Sequence, residues 1–202
     1  PLVSVVIIAY NEEKHLLANL WSLSDNICKY PIEIIGVDND SSDNTGEIYK
    51  MTGVPYHIEY KHGPGYARLC GLNQARGKYY ICIDSDTIYP PKYIETLVKA
   101  LEKPGVVAVF SLWSYIPDKQ HSWLSIQLYE FLRDIYLFLQ SIKRPELCVR
   151  GLVFAHDTEL SRQVGYRVDI KRGEDGSMAL GLKKYGKLRF IHTRKARPVT
   201  GY

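Results

Sequence analysis

Residues 79–83 form an unbroken apolar run that ends in two carboxylates one residue apart, Asp84 and Asp86. A run so short and so apolar has the length of a strand buried on both faces. Such strands sit in parallel sheets covered by helices on both sides. Ligands of those sheets bind just past the carboxyl ends of the strands. Two acidic groups at that place are costly unless something positive lies between them. A divalent cation carrying a phosphorylated substrate meets that need, so the pair points to nucleotide or phosphate-ester chemistry.

The same pattern recurs upstream. Residues 3–9 read as a buried strand and are followed by Tyr10-Asn11-Glu12. Residues 32–37 read as a second strand ending at Asp38-Asn39-Asp40. Leu16, Leu17, Leu20, Trp21 and Leu23 recur between them at helical spacing. The turn Ser41-Ser42-Asp43-Asn44-Thr45 is rich in capping residues and predicts a helix after it. A short strand is expected at 56–60, a helix at 66–75 after Gly63-Pro64-Gly65, and a fifth strand at 106–110. Pro90-Pro91 opens a helix whose apolar face is Tyr93, Ile94, Leu97, Val98 and Leu101. This alternation predicts an α/β fold, a three-layer sandwich with a mostly parallel central sheet. The three acidic strand ends then line one edge. Each of those carboxylates also fits a solvated turn or a helix cap, Glu12, Asp40 and Asp43 most of all. The second half departs from the rhythm: a helix at 121–142, a short strand at 152–155, a helix opened by Gly173-Glu174-Asp175-Gly176 and ending near Gly186, and a last strand at 188–191.

The 202 residues suit one domain, with 46% hydrophobic residues for its core. A net charge of +4 is too mild to indicate a nucleic-acid partner, though it favours anionic substrates. The four cysteines, Cys28, Cys70, Cys82 and Cys148, are scattered without a CxxC pair and read as reduced core thiols. No signal peptide or apolar run of transmembrane length is present, so a cytoplasmic location is expected, or a peripheral one on the cytoplasmic face of a membrane. The abrupt start and finish suggest a domain trimmed from a longer chain.

Lys61, His62 and Arg68 flank the Gly63-Pro64-Gly65 turn. A glycine-rich turn at a helix N-terminus can offer backbone amides to an anion. Arg68, one turn in, can reach a phosphate or pair with Asp84 or Asp86. The turn is neither a dinucleotide fingerprint, lacking its third glycine, nor a phosphate-binding Walker loop, lacking Gly-Lys-Ser/Thr.

In order, the segments Val3-Ser4-Val5-Val6-Ile7-Ile8-Ala9-Tyr10-Asn11-Glu12, Ile35-Gly36-Val37-Asp38-Asn39-Asp40-Ser41, Ala67-Arg68 and Asp84-Ser85-Asp86 resemble the family 2 glycosyltransferases of GT-A fold. The resemblance is good over the first hundred residues, loosens over 112–150, and returns at Gly151 and Glu174-Asp175. It implies a UDP- or GDP-sugar donor. Ala9, Tyr10 and Glu12 would meet the base and ribose, Asp38 the base, and Arg68 the base or diphosphate. Asp84 and Ser85 would touch ribose, and Gly151 would lie near the donor sugar. Asp86 would bind Mn²⁺ or Mg²⁺, with His192 as a further metal ligand. Glu174 and Asp175 would form the acceptor-side motif, with Asp175 as general base for one inverting displacement by an acceptor hydroxyl or lipid phosphate. Residues 1–110 would be the donor half and 111–202 the acceptor half. Asn39 departs from the usual Asp-Asp-Gly-Ser. The absence of Gln-x-x-Arg-Trp argues for transfer of a single sugar rather than chain extension. The aromatic helix 123–142 reads either as a core cover or as a surface for a polyprenyl-phosphate acceptor or membrane. Two other readings stay open: a nucleotidyltransferase, disfavoured by Tyr10-Asn11-Glu12-Glu13 after the first strand, and a non-catalytic sugar-nucleotide binder.

Overall fold

The computed structural model describes residues 1–117, 121–170 and 172–201. Its elements in chain order are β1 (Val3–Ala9), α1 (Leu16–Ser24), β2 (Ile32–Asp38), α2 (Thr45–Thr52), β3 (Tyr56–Ile58), α3 (Pro64–Gln74), β4 (Tyr79–Asp84) and β5 (Thr87–Ile88). There follow α4 (Tyr93–Leu101), β6 (Val106–Ser111), β7 (Ser114–Tyr115), α5 (Trp123–Lys143), β8 (Phe154–Asp157), α6 (Thr158–Val164), α7 (Glu174–Leu182), β9 (Lys187–Ile191) and β10 (Val199–Thr200).

A seven-stranded sheet has the order β3-β2-β1-β4-β8-β6-β9. Only β8 runs against its neighbours, so the sheet is mostly parallel as expected. The register pairs Ala9 with Asp38 across β1 and β2, and Ile8 with Asp84 across β1 and β4. The three acidic strand ends therefore share one edge. The chain moves from β1 outward to β2 and β3, then returns to place β4 on the other side of β1. That reversal opens a crevice between the ends of β1 and β4.

Val3, Val5, Val6 and Ile7 are fully buried because helices cover both faces. One core layer joins α1, α2 and α4 to the sheet, and the other joins α3, α5 and α7. Gly71 of α3 is required by close approach: a Cβ there would lie 2.3 Å from Val6 Cγ1. The four cysteines are free thiols, Cys82 and Cys148 being buried.

The structure differs from the sequence reading in places. The strand expected at 152–155 begins later, at Phe154. Leu152 instead lies in a single 3-10 turn, where its carbonyl accepts from the hydroxyls of Tyr89 and Tyr93 at 2.9 and 3.3 Å. β3 ends at Ile58, and α7 ends at Leu182 rather than near Gly186. A three-stranded sheet, β5-β10-β7, was not anticipated, since strands of two residues show no alternation. β8 lies between β4 and β6, so the second half of the chain builds the same sheet as the first. Among the described residues no helix is long and apolar enough to cross a membrane.

Candidate active site

A cavity of about 580 Å³ occupies the crevice at the ends of β1 and β4. Ala9, Tyr10 and Glu12 form one wall, and Asp84, Ser85 and Asp86 the other. Tyr10 is 53% exposed at the mouth, edge-on to His62 with ring centroids 5.3 Å apart. Glu12 accepts from, or pairs with, His15 at 2.8 Å. Asn11 and Asp40 both adopt positive φ, 54° and 60°, in the turns after β1 and β2. These turns lock together: the Asn11 amide donates to Ser41 Oγ at 2.9 Å, and the Ser42 amide to Asn11 Oδ1 at 2.8 Å.

Asn39, not Asp38, lines this cavity. Asn39 is 5% exposed and donates to the carbonyls of Glu59 and Lys61, while its Oδ1 accepts from the Gly63 amide at 2.8 Å. Its departure from the family pattern thus ties the loop after β3 to the end of β2. Asp38 sits behind the wall, where Oδ1 accepts from the Ser41 amide at 3.0 Å. The glycine-rich turn offers fewer amides than expected. Gly63's is taken by Asn39, and Pro64 has none.

Arg68 organises the site. It is 3% exposed, and three carboxylates surround it: Asp84 at 3.0 Å, Glu174 at 3.1 Å and Asp175 at 3.0 Å. The sequence placed Arg68 with a phosphate, Asp84 or Asp86; the structure pairs it with Asp84, and the tertiary fold adds the two carboxylates from α7. Burial opposes the guanidinium's charge, but Asp175 and Asp84 hold it well above its ordinary value. Gly151 packs against it so closely that a Cβ would fall 1.6 Å from Arg68 Nη2. Gly151 therefore serves Arg68 directly and does not line the cavity.

Asp175 is 8% exposed. Burial lifts its carboxyl to about 6, against the pull of Arg68, with Glu174 and Asp84 adding to the rise. Arg68 Nε and Asp175 Oδ1 lie close but off hydrogen-bond alignment, so among the described groups both atoms lack a hydrogen-bond partner. Asp175 and Glu174 line a second cavity of about 850 Å³, and Glu174 lines the first as well, so the two cavities adjoin.

Asp86 contrasts with Asp84. It is exposed in the first cavity, accepts from Thr87 Oγ1 at 3.0 Å, and has no ion pair among the described residues. No group of three His, Cys, Asp or Glu close enough to hold a metal occurs among the described residues. One free carboxylate beside this cavity still suits Mg²⁺ or Mn²⁺, which take much of their shell from substrate phosphates. His192 is not brought to this place. It follows β9, three strands from β4, with its ring against Phe138 and Phe190. Sequence reasoning missed the arginines of the second cavity, Arg167 and Arg172, whose only linear signal is their basic charge near Gly173.

The model of glycosyl transferase family 2 matches residues 4–156. The chain belongs to that family. An uncharacterised glycosyltransferase of Methanocaldococcus jannaschii is 32% identical over 185 residues, covering 82% of this chain and 62% of that protein. An undecaprenyl-phosphate 4-deoxy-4-formamido-L-arabinose transferase of Serratia proteamaculans is 35% identical over 131 residues, covering 60% of this chain and 39% of its own. The solved mannosyltransferase of Pyrobaculum calidifontis, in complex with GDP-Man and Mn²⁺, superposes with a TM-score of 0.71 at 21% identity, covering all of this chain and 57% of the other. The fold is accordingly the GT-A fold expected from the motifs. The chain spans less than two thirds of the length of each of these three relatives.

Proposed function

We propose that the protein transfers one sugar from a nucleoside-diphosphate sugar to an acceptor hydroxyl, with inversion, and with Asp175 as general base. The observation that carries this is the junction at Arg68 and Glu174, where a donor-sized cavity with a free Asp86 adjoins a cavity lined by Asp175, which Arg68 holds in place. Tyr10, Ala9 and Glu12 face the base and ribose, with Asn39 lining the cavity and Asp38 bracing the turn behind it. Ser85 and Asp84 face the ribose. Asp86 holds a divalent cation, Mn²⁺ or Mg²⁺, which when bound neutralises the leaving diphosphate. His192 lies outside this arrangement, and Asp86 carries the metal assignment alone.

In the transfer step the acceptor oxygen bonds to the anomeric carbon as the bond to the diphosphate breaks, its electron pair leaving with the nucleoside diphosphate. The acceptor proton passes to the Asp175 carboxylate. Arg68 orients that carboxylate and keeps it anionic above pH 6 or so. Residues 1–110 supply the donor half and residues 111–202 the acceptor half of one unit. Support from relatives is consistent: the Pyrobaculum enzyme was solved with GDP-Man and Mn²⁺. The test is calorimetry of GDP and UDP in the presence of Mn²⁺. Asp86→Ala should lower affinity by about tenfold or more, the worth of a charge-assisted contact. Unchanged affinity would remove the metal assignment.

A further inference from the structure

α5 carries two seams at the same spacing. Ile126, Glu130, Arg133, Leu137 and Gln140, alternately four and three residues apart, are buried or partly buried and turn toward the domain. Leu124, Leu128, Phe131, Ile135, Phe138 and Ile142 repeat that spacing on the opposite side and are 44–71% exposed. A helix that only covers its own domain needs one seam. The second is a heptad repeat with Leu, Phe and Ile at its a and d places, the pattern that packs against another helix. Its support is firm: Glu130 ties α5 to the Tyr115 amide and to Arg197, and Ser122 caps its N-terminus.

Leu132 and Leu139, also exposed, widen the seam. At roughly 100 Å² a side chain it offers about 800 Å² of apolar surface. That is the share each partner gives to a standard interface. It exceeds the largest apolar patch of a typical monomer, about 300–600 Å².

The flanks of the seam indicate what covers it. Ser125, Gln127, Leu132, Asp134, Leu139 and Ser141 hold one charge, and that one is paired with Arg133 and Arg197. Flanking charges decide which helices reject one another, so a copy of the same seam meets no repulsion here. A helix lying in a membrane interface instead carries lysine and arginine along its polar side. In α5 the polar side is turned inward, and Arg133 is spent on the Trp113 ring, 4.4 Å away, and on Asp134. The seam is also symmetric about its midpoint. Reversed, it sets Ile142 of one copy against Leu124 of the other, Phe138 against Leu128 and Ile135 against Phe131, so every facing pair is apolar. Antiparallel order opposes the two helix dipoles. It also keeps the Lys143-Arg144 ends of the copies about 30 Å apart, the length of the helix.

We infer that α5 pairs two copies of this chain, antiparallel across a two-fold axis at the middle of the helix. The pairing is independent of the proposed transfer and of either cavity.

The test is sedimentation velocity on the 202-residue chain in detergent-free buffer. At about 100 μM it should run as a dimer, since an interface of this size binds in the micromolar range or tighter. Leu128→Glu with Ile135→Glu should raise the dissociation constant about a hundredfold or more. Far-ultraviolet circular dichroism should stay unchanged, because both side chains are exposed. Trp21→Glu, at an exposed aromatic on α1, should leave the dimer as it is. Mixed chains carrying Leu128→Cys and Phe138→Cys should cross-link to each other under mild oxidation faster than either does to itself. A wild-type monomer at that concentration overturns the pairing. So does a monomer that floats with phosphatidylglycerol vesicles, which would give the seam to a membrane. A double variant that stays dimeric, or an equal loss with Trp21→Glu, takes the contact off the seam and overturns it as well. Leu128→Cys linking chiefly to itself overturns the antiparallel order.

Discussion

At the residue scale, the site is governed by one guanidinium and three carboxylates. Arg68 is buried with Asp84, Glu174 and Asp175 at 3.0–3.1 Å. Removing one partner of such a cluster leaves uncompensated charge, worth about 3–5 kcal/mol. Arg68→Met should therefore destabilise the fold by about that amount at pH 8. Without the guanidinium the Asp84 and Asp175 carboxyls, already raised by burial, rise further above their unfolded values. A raised carboxyl binds more protons folded than unfolded, so stability falls as pH rises through that window. The variant should thus be closer to wild type at pH 5 than at pH 8 by urea denaturation. Asp175→Asn makes a different prediction: it should retain GDP or UDP binding and lower kcat by about 10²–10⁴. In the wild type the base must be ionised, so kcat should fall as pH drops below about 6, the value to which burial lifts Asp175. A flat profile between pH 5 and 8 would place the base elsewhere.

At the element scale, α5 is held by few but strong ties. Glu130 is 5% exposed and accepts from Ser114 Oγ at 3.0 Å, the Tyr115 amide at 2.6 Å and Arg197 Nη2 at 2.8 Å. These bonds clamp the helix to the small β5-β10-β7 sheet, while most of its remaining surface is apolar and open. Glu130→Ala removes a buried acceptor from the Tyr115 amide and from Arg197, which keeps Asp134 and Ser114 Oγ. It should cost about 3 kcal/mol and raise amide exchange across α5 before it does so in β1 and β4. The sequence showed this helix as an apolar stretch interrupted by Glu130, Arg133 and Asp134. It did not show that those three charges face inward to the clamp while the apolar residues other than Ile126 and Leu137 are mostly exposed. A hydrophobicity pattern reports composition around a helix, and only the packed neighbours decide which side is covered.

At the scale of the whole molecule, the first cavity lies where strand order reverses between β1 and β4, near the centre of the sheet. A ligand there bridges both sides of the sheet and should stabilise the fold as a unit. With GDP or UDP and Mn²⁺ at a hundred times the dissociation constant, mass action adds about 2.7 kcal/mol. For a chain of 202 residues that corresponds to a Tm rise of about 5–10 °C by differential scanning calorimetry. Absence of a shift with every nucleoside diphosphate tried would remove the donor reading.

The sequence by itself determined the mostly parallel sheet and its acidic edge. Apolar runs of strand length ending in acid are local signals, and a parallel sheet brings their ends together without further information, as the Ala9–Asp38 and Ile8–Asp84 pairings show. The motif series likewise identified the family. Tertiary structure decided what those residues touch. It set Asn39 into the cavity wall and Asp38 behind it, placed Gly151 beneath Arg68, and kept His192 three strands away. It also gathered Arg68, Asp84, Glu174 and Asp175, though 106 residues separate Arg68 from Glu174. Such convergence has no linear signal, because a guanidinium's partners are set by how α3 and α7 pack on one face of the sheet. The arginines of the second cavity depend on that same packing.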